Sequence, residues 1–240
     1  MHRFANPGRF LRLSRALLPW TAGGAVVLLA TGLYTALFVA PADYQQGESV
    51  RIMYVHVPSA YMALLIYTVI AAASASALIW RHPLADLVAK ASSPVGAAFT
   101  FLALATGSLW GKPMWGAWWV WDARLTSVLI LFFLYLGHMA LLGAFEDPQR
   151  GRRAAAVLAL VGFVNVPIIK FSVDWWNTLH QPASLLRLDG PTIHPSMLWP
   201  LVFMALGFML YYLCLLLLRV RTELLAARLR ALAQVRAEAA

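Results

Sequence analysis

The chain has 240 residues, of which 61% are hydrophobic and only 12% are charged. Soluble domains average about 45–50% apolar and about 25% charged residues, so this composition excludes an ordinary soluble protein and indicates an integral membrane protein. The single cysteine, Cys214, excludes an intramolecular disulfide, and the sequence has no Cys-x-x-Cys-His motif for covalent haem attachment.

Apolar runs of about 18 or more residues are typical of transmembrane helices. Six apolar runs, about 16 to 24 residues each, follow one another at about 20–40, 57–80, 94–109, 125–145, 154–172 and 198–218. The first run follows a basic tail, but it is longer than the apolar core of a signal peptide, and Phe38 and Pro41 stand where a cleavage site would need small residues. We therefore predict an all-α membrane protein that forms one six-helix domain over residues 1–240 and retains its first helix.

Lysine and arginine are unevenly distributed between the two sides of the membrane. Fourteen of the 19 lie on the side of both termini, and the other five are Arg51, Lys112, Arg124, Lys170 and Arg187. Because short cytoplasmic loops carry the excess of positive charge, we predict that both termini are cytoplasmic. This distribution also explains the net charge of +9 without a nucleic-acid partner. We predict that the basic tail 219–240 is a helical extension at the cytoplasmic surface.

Tryptophan is concentrated on the predicted outer side. Five of the ten tryptophans fall within WGKPMWGAWWVWD at residues 110–122, and three more, Trp175, Trp176 and Trp199, lie on the same side. Only Trp20 and Trp80 lie on the inner side. An aromatic belt populates both interfaces, so this split indicates more than a belt.

The spacing within the tryptophan segment predicts a short amphipathic helix. Trp115, Trp118, Trp119 and Asp122 follow the i, i+3, i+4, i+7 pattern of one helical face. The preceding glycines and proline, at positions 111, 113 and 116, favour a sharp turn after the third span. We expect this helix to lie in the outer interface, where its aromatic face suits a flat, largely apolar ligand.

Three of the six histidines, His56, His180 and His194, lie on the predicted outer side. His56 and His180 each precede a proline by two residues and have aromatic neighbours, and two imidazoles from different loops fit the axial positions of a haem iron. Zinc and copper also bind imidazole, but no cluster of cysteine or carboxylate residues accompanies these histidines. His194 remains an alternative to His180. His138, within the fourth span, is either a functional group or a neutral histidine bonded to a neighbouring helix.

Two outer arginines could contact the propionates of such a haem. Arg51 lies five residues before His56, and Arg124 follows the tryptophan segment. A planar guanidinium can hold a carboxylate through two hydrogen bonds. The alternatives are a solvated loop charge for Arg51 and an ion pair with Asp122 for Arg124.

The segment WGKPMWGAWWVWDARLTS resembles the WWD domain of the haem-handling protein family. Together with the stretch PADYQQGESVRIMYVHVPSAYMA, the outer histidines and the six spans, it makes the whole chain similar to the cytochrome c maturation protein C family. The residues that match the WWD signature, within the outer segment 110–126, are Trp110, Gly111, Trp115, Trp118, Trp119, Trp121, Asp122 and Arg124.

This resemblance implies a function and a set of partners. Members of the family hold haem b at the periplasmic face of the bacterial inner membrane, and the matching axial ligands here are His56 and His180. They present the haem to a periplasmic haem chaperone, maturation protein E, which captures it covalently. An ABC transporter of maturation proteins A and B, with the small membrane protein D, acts in the same complex.

The residues by themselves leave other functions open. The segment GSLWGKP at 107–113 is one residue too short between its glycines for a phosphate loop, and it has proline where serine or threonine is required, so we expect no ATP site in this chain. No pair of nucleophile and base is evident. A membrane b-type cytochrome that transfers electrons, a haem permease and a bare scaffold of a transporter complex are the alternatives.

Overall fold

The computed structural model describes residues 6–181, 185 and 190–238, so Arg3 and Arg187, which contribute to the orientation prediction, lie outside the described residues. This part of the chain is helical and contains no β-strand. A π-helical turn, Thr35–Val39, follows the first helix, and a short 3-10 helix, Glu48–Ile52, leads into the second. The α-helices are α1 (Pro7–Tyr34), α2 (Met53–Trp80), α3 (Ala85–Trp115), α4 (Ala123–Gly143), α5 (Pro148–Gly162), α6 (Asn165–Trp175) and α7 (Pro195–Glu238).

Six helical segments of the described chain are long and apolar enough to cross a membrane, which confirms the six predicted spans. Most of the helices extend beyond the apolar runs, whereas α4 ends at Gly143, two residues before the end of its predicted run. The fifth span consists of α5 and α6, which are separated at Phe163 and Val164. Pro167 lacks an N–H group, and its ring clashes with the carbonyl four residues earlier, on Phe163, so the helix breaks at this point.

The first and last helices pack along each other through glycines. A Cβ added at Gly32 of α1 would lie 2.8 Å from the sulfur of Met204, and one added at Gly207 of α7 would lie 2.7 Å from a methyl group of Leu29. Small residues of this kind allow transmembrane helices to approach closely.

The first part of α1 and the last part of α7 lie at the same end of the bundle, which we call the terminus end. Nη1 of Arg221, on α7, donates hydrogen bonds to the carbonyl oxygen of Leu11 at 2.7 Å and to Oγ of Ser14 at 2.9 Å. An even number of membrane spans also requires the start of the first span and the end of the last span to lie on the same side of the membrane. Which side of the membrane this end faces stays a prediction. The basic tail is helical to Glu238, as predicted.

Two tyrosines form the centre of the bundle. Tyr67 of α2 and Tyr135 of α4 are fully buried and meet edge to face, with ring centroids 5.1 Å apart. The hydroxyl of Tyr135 donates to the carbonyl oxygen of Ala63 at 2.6 Å, which satisfies a polar group inside an apolar core. This contact ties the fourth helix to the second.

The prediction of a separate amphipathic helix in the tryptophan segment is wrong. Helix α3 continues through Gly111 and Pro113 to Trp115, and the residues from 117 to 122 are not helical. The helix ends at Gly116, which has a φ of +74° and whose N–H donates to the carbonyl of Lys112, an arrangement that glycine adopts without strain. Trp118, Trp119 and Asp122 therefore share no helical face with Trp115.

Candidate functional site

Four segments meet at the end of the bundle opposite the terminus end, and we call this end the site end. They are the beginning of α2, the end of α3 with the following loop 116–122, the beginning of α4, and the residues that follow α6. The predicted site residues lie on these segments and on the 3-10 helix before α2. The topology of the bundle brings His56, Arg124 and His180 close together, although they are up to 124 positions apart. Arg51 lies at the same end, but its contacts are with Glu48 and with the carbonyl groups of residues 36 and 40.

His56 lies one turn into α2, with its ring against α3. Its Nδ1 atom is 3.0 Å from the carbonyl oxygen of Ala103 and 3.2 Å from the hydroxyl of Thr106, which itself donates to Leu102. A carbonyl oxygen only accepts, so the proton is on Nδ1, and Nε2 keeps its lone pair. Gly107 makes this packing possible, since a Cβ there would lie 2.9 Å from Cε1 of the imidazole.

His180 lies in the loop after α6 and is held by Asp122. Its Nδ1 atom is 3.4 Å from Oδ2 of Asp122, which also accepts from the backbone N–H of Leu179 at 3.3 Å. The other oxygen, Oδ1, caps α4 by accepting from the N–H of Leu125 at 2.7 Å. The carboxylate is an acceptor only, so here too the proton is on Nδ1 and the lone pair on Nε2.

The surroundings of His180 favour its neutral form. Burial is the largest influence and lowers the pKa of this imidazole below 6.5; the carboxylate of Asp122 opposes the shift, and the charge of Arg124 adds to it. A neutral imidazole is the form that binds a metal. His56, His180 and Arg124 are close enough to one another to interact electrostatically.

Four of the five tryptophans of the segment divide into two pairs. Trp110 and Trp115 pack edge to face against the two histidines, with ring centroids 5.6 Å from His56 and 5.0 Å from His180. Trp110 also donates from Nε1 to Oε1 of Gln46 at 3.0 Å. Trp118 and Trp121 present their rings outward, with 55% and 75% of their surface exposed.

Trp119 is the fifth tryptophan of the segment. Its ring meets that of Trp121 at a centroid distance of 5.5 Å, and its Nε1 atom is buried without a hydrogen-bond partner. Oγ1 of Thr178, two residues before His180, is likewise buried and unpaired. Tyr67 and Ser74 of α2, away from this loop, also have buried oxygens without a partner, so the two atoms are polar groups available to a ligand and not by themselves evidence for one.

Arg124 and Arg51, the two arginines predicted to contact the propionates, also donate hydrogen bonds to backbone carbonyl groups. Nε and Nη2 of Arg124 bind Oγ of Ser172 and the carbonyls of Ile169 and Lys170, at 3.0 to 3.3 Å. Arg51 binds the carboxylate of Glu48 through Nε and two carbonyl oxygens, on residues 36 and 40, through Nη1. One nitrogen of each guanidinium, Nη1 of Arg124 and Nη2 of Arg51, has no hydrogen bond to a described residue.

The two remaining histidine predictions have other surroundings. Nδ1 of His194 accepts a hydrogen bond from the backbone N–H of Ser196 at 3.3 Å and thereby caps the N-terminus of α7. His138 is buried among the helices and lies 2.8 Å from the hydroxyl of Ser93. A neutral histidine bonded to a neighbouring helix, one of the two interpretations of His138, agrees with this contact.

Sequence reasoning missed the two residues of α3 that pack against His56, Thr106 and Gly107, and the threonine with an unpaired hydroxyl near His180, Thr178. Thr106 and Gly107 lie inside an apolar run, and Thr178 lies in a polar loop, so neither hydropathy nor spacing distinguishes them. A glycine near the end of a predicted span was the one available signal, since such a residue often marks a close approach.

Comparison with known proteins identifies similar chains. A family model described as Heme exporter protein C matches residues 1–235. A protein named Heme exporter protein C from Bradyrhizobium diazoefficiens is 58% identical over 233 residues, which cover 97% of this chain and 88% of the relative. Relatives of the same name from Haemophilus influenzae and Escherichia coli K12 are 51% and 48% identical over 225 residues, with 94% of this chain covered in each case and 92% and 91% of the relative.

Proposed function

The chain belongs to the heme exporter protein C family, and from this premise we propose that it binds haem b at the periplasmic face of the bacterial inner membrane. His56 and His180 would hold the iron of this haem. The protein presents the haem to a periplasmic haem chaperone, maturation protein E, for covalent capture during the biogenesis of c-type cytochromes. Both termini are cytoplasmic in this proposal.

The observation that carries the proposal is that the imidazoles of His56 and His180 have the same hydrogen-bonding arrangement. Each has its Nδ1 proton engaged by an acceptor, Ala103 for His56 and Asp122 for His180, and each therefore offers Nε2. Metal-binding histidines are usually oriented in this way by a hydrogen bond from the other ring nitrogen. Two neutral imidazoles with free Nε2 atoms at one end of a bundle match the donor set of a bis-histidine haem.

The other residues of the site fit the remainder of a haem. The free nitrogens of Arg51 and Arg124 suit the propionates, and the exposed rings of Trp118 and Trp121 suit the apolar porphyrin. The unpaired Nε1 of Trp119 gives the site a further donor. When bound, haem supplies an iron for the imidazoles and a porphyrin edge to which a chaperone can form its bond.

The chain's own contribution is binding, orientation and exposure. The protein keeps the two imidazoles neutral and fixes their orientation through Nδ1. It also leaves aromatic surface accessible beside them for a partner. We propose that ATP is used by an ABC transporter of maturation proteins A and B, which assembles with this chain and the small membrane protein D, since the sequence lacks a complete phosphate loop.

Absorption spectroscopy of the purified full-length chain tests the ligand assignment. We expect haem with a bis-histidine spectrum in the wild-type protein and its loss in the double variant His56→Ala, His180→Ala. His194→Ala is the matched control, because this histidine lies at the same end but caps α7, and it should keep the haem. Unchanged haem content in the double variant, or equal loss in the control, would refute the assignment.

Presentation is tested with the chaperone. Haem-loaded protein, mixed with the purified periplasmic haem chaperone, should form a complex that depends on haem and on Trp118. An electron-transferring cytochrome would instead be reduced rapidly and reversibly by quinol and would form no such complex. Rapid quinol cycling without chaperone binding would contradict the proposed function.

A further inference from the structure

A groove of about 540 Å³ lies between α1, α3 and α7 and leads away from the site end. Its walls are apolar, formed chiefly by Leu29 of α1, Phe99 of α3 and Phe208 of α7. Arg219 of α7 is the charged residue that lines it. The groove is separate from the candidate site, because none of the predicted site residues lines it.

We propose that this groove binds an acyl chain of an anionic phospholipid from the leaflet at the terminus end, with the lipid phosphate on Arg219. The ligand class follows from the lining, since an apolar channel with one cation at its end matches an amphiphile with a long hydrocarbon chain and an anionic head. This inference does not rest on the proposed function.

The dimensions of the groove match one leaflet. Phe208 and Arg219 both line it and are eleven residues apart on one continuous helix. At about 1.5 Å per residue this corresponds to about 16 Å along the helix axis. The hydrocarbon core of a bilayer is about 30 Å thick, so the groove spans about half of it and holds the length of an acyl chain.

The charge at the terminus end of the groove is available to a ligand. Arg219 is exposed and has no ion pair or hydrogen bond with the described residues. Its neighbours are occupied: Arg221 binds α1, and Lys90 pairs with Glu223 at 2.8 Å. A free guanidinium at the level of the headgroups binds phosphate through two parallel hydrogen bonds. A headgroup with no amine leaves that phosphate uncompensated, which favours an anionic lipid.

A transmembrane helix of another chain fits the groove less well. Such a helix is about 10 Å wide and crosses both leaflets. At the limit of the groove toward the site end, α1 and α7 approach closely, since a Cβ added at Gly32 would lie 2.8 Å from Met204 and one added at Gly207 would lie 2.7 Å from Leu29. No described residue of α1 or α7 closer to the site end than Leu29 and Phe208 lines the groove. A single chain of methylene groups needs neither that width nor that length.

Native mass spectrometry of the purified full-length chain tests the proposal, with phosphatidylglycerol and phosphatidylethanolamine as probes. Arg219→Gln removes the charge, and Ala98→Leu fills the groove from an exposed position that also lines it. The matched control is Arg228→Gln, which removes the same charge from an exposed position further along α7, outside the groove.

We expect the wild-type chain and the Arg228→Gln control to retain phosphatidylglycerol severalfold better than phosphatidylethanolamine. Arg219→Gln should abolish this preference, and Ala98→Leu should lower the retention of both lipids. Equal preference in the two arginine variants, or undiminished retention in Ala98→Leu, would overturn the proposal. So would a change of oligomeric mass in Ala98→Leu, which would assign the groove to a second copy, or a loss of haem, which would assign it to haem.

Discussion

Asp122 accepts a hydrogen bond from His180 with the same carboxylate that caps α4. One oxygen receives the N–H of Leu125 at 2.7 Å, and the other receives the N–H of Leu179 and the Nδ1–H of His180. The position of a loop histidine is thus tied to the start of a transmembrane helix. His56 has a different support, because its Nδ1 is held by a backbone carbonyl of α3. The two proposed ligands are therefore unequal, and His180 has the more strongly polarised imidazole.

Replacing Asp122 with asparagine should weaken haem binding with little effect on the fold. The asparagine oxygen still caps α4, but its amide group places a donor against two donors, Leu179 N–H and His180 Nδ1–H. Losses of such supporting residues typically cost about 10- to 100-fold in metal affinity. Haem titration followed by absorption measures the affinity, and helical content by circular dichroism is the control. Wild-type affinity in this variant would show that Asp122 does not position His180.

Gly107→Ala should displace His56. A Cβ at this position would lie 2.9 Å from Cε1 and 3.3 Å from Nδ1 of the ring, so the imidazole must leave its hydrogen bond to Ala103. We expect a marked loss of bound haem per protein, measured spectroscopically after purification. Gly23→Ala is the matched control, since no atom lies within 4 Å of a Cβ there. Equal haem content in both alanine variants would contradict the packing argument.

The exposed tryptophans should matter for presentation more than for folding. Trp118 and Trp121 are 55% and 75% exposed, so replacing both with alanine leaves no cavity in the bundle. We expect slower or weaker transfer of haem to the chaperone and an unchanged unfolding temperature. Trp20→Ala removes an equally exposed ring, 79% accessible, near the terminus end and serves as the control. If the double variant transfers haem at the rate of the control, the aromatic surface has no part in presentation.

Arg124→Lys should destabilise the protein. Arginine makes three hydrogen bonds from two nitrogens to the end of α6, and the single amine of lysine cannot reproduce this fork. Each hydrogen bond from a charged group contributes about 1.5–3 kcal/mol, so we expect a loss of at least about 1.5 kcal/mol in the free energy of unfolding.

Unfolding in detergent micelles measures the stability of this variant. Arg150→Lys is the control, because its side chain is 78% exposed and its ion pair with Asp147 is long, at 3.9 Å. This control should unfold like the wild-type protein. Equal stability of the two lysine variants would mean that Arg124 does not hold α4 to α6.

Much of the architecture follows from local features of the sequence. The six spans follow from apolar runs, and the basic tail is helical as its composition predicts. The break at Phe163 follows from Pro167, although hydropathy alone presents residues 154–172 as one run, because hydropathy does not register a missing N–H group. The sequence pattern also predicted the wrong end for α3, because it placed a turn and a new helix where α3 in fact continues to Trp115. Spacing describes a face only while the helix lasts, and Gly116 ends it three residues after Pro113.

The sequence by itself determined the membrane class, the number of spans and the two histidines proposed as ligands, since these depend on composition, charge and residue type. Only the tertiary structure decided how those histidines are held. Ala103 and Asp122 select the tautomer, Gly107 admits the ring of His56, and the two arginines are fixed to distant carbonyl groups. Such contacts join residues 15 to 58 positions apart, so no local pattern encodes them. They arise when the packing of apolar helices brings the ends of α2, α3, α4 and α6 together.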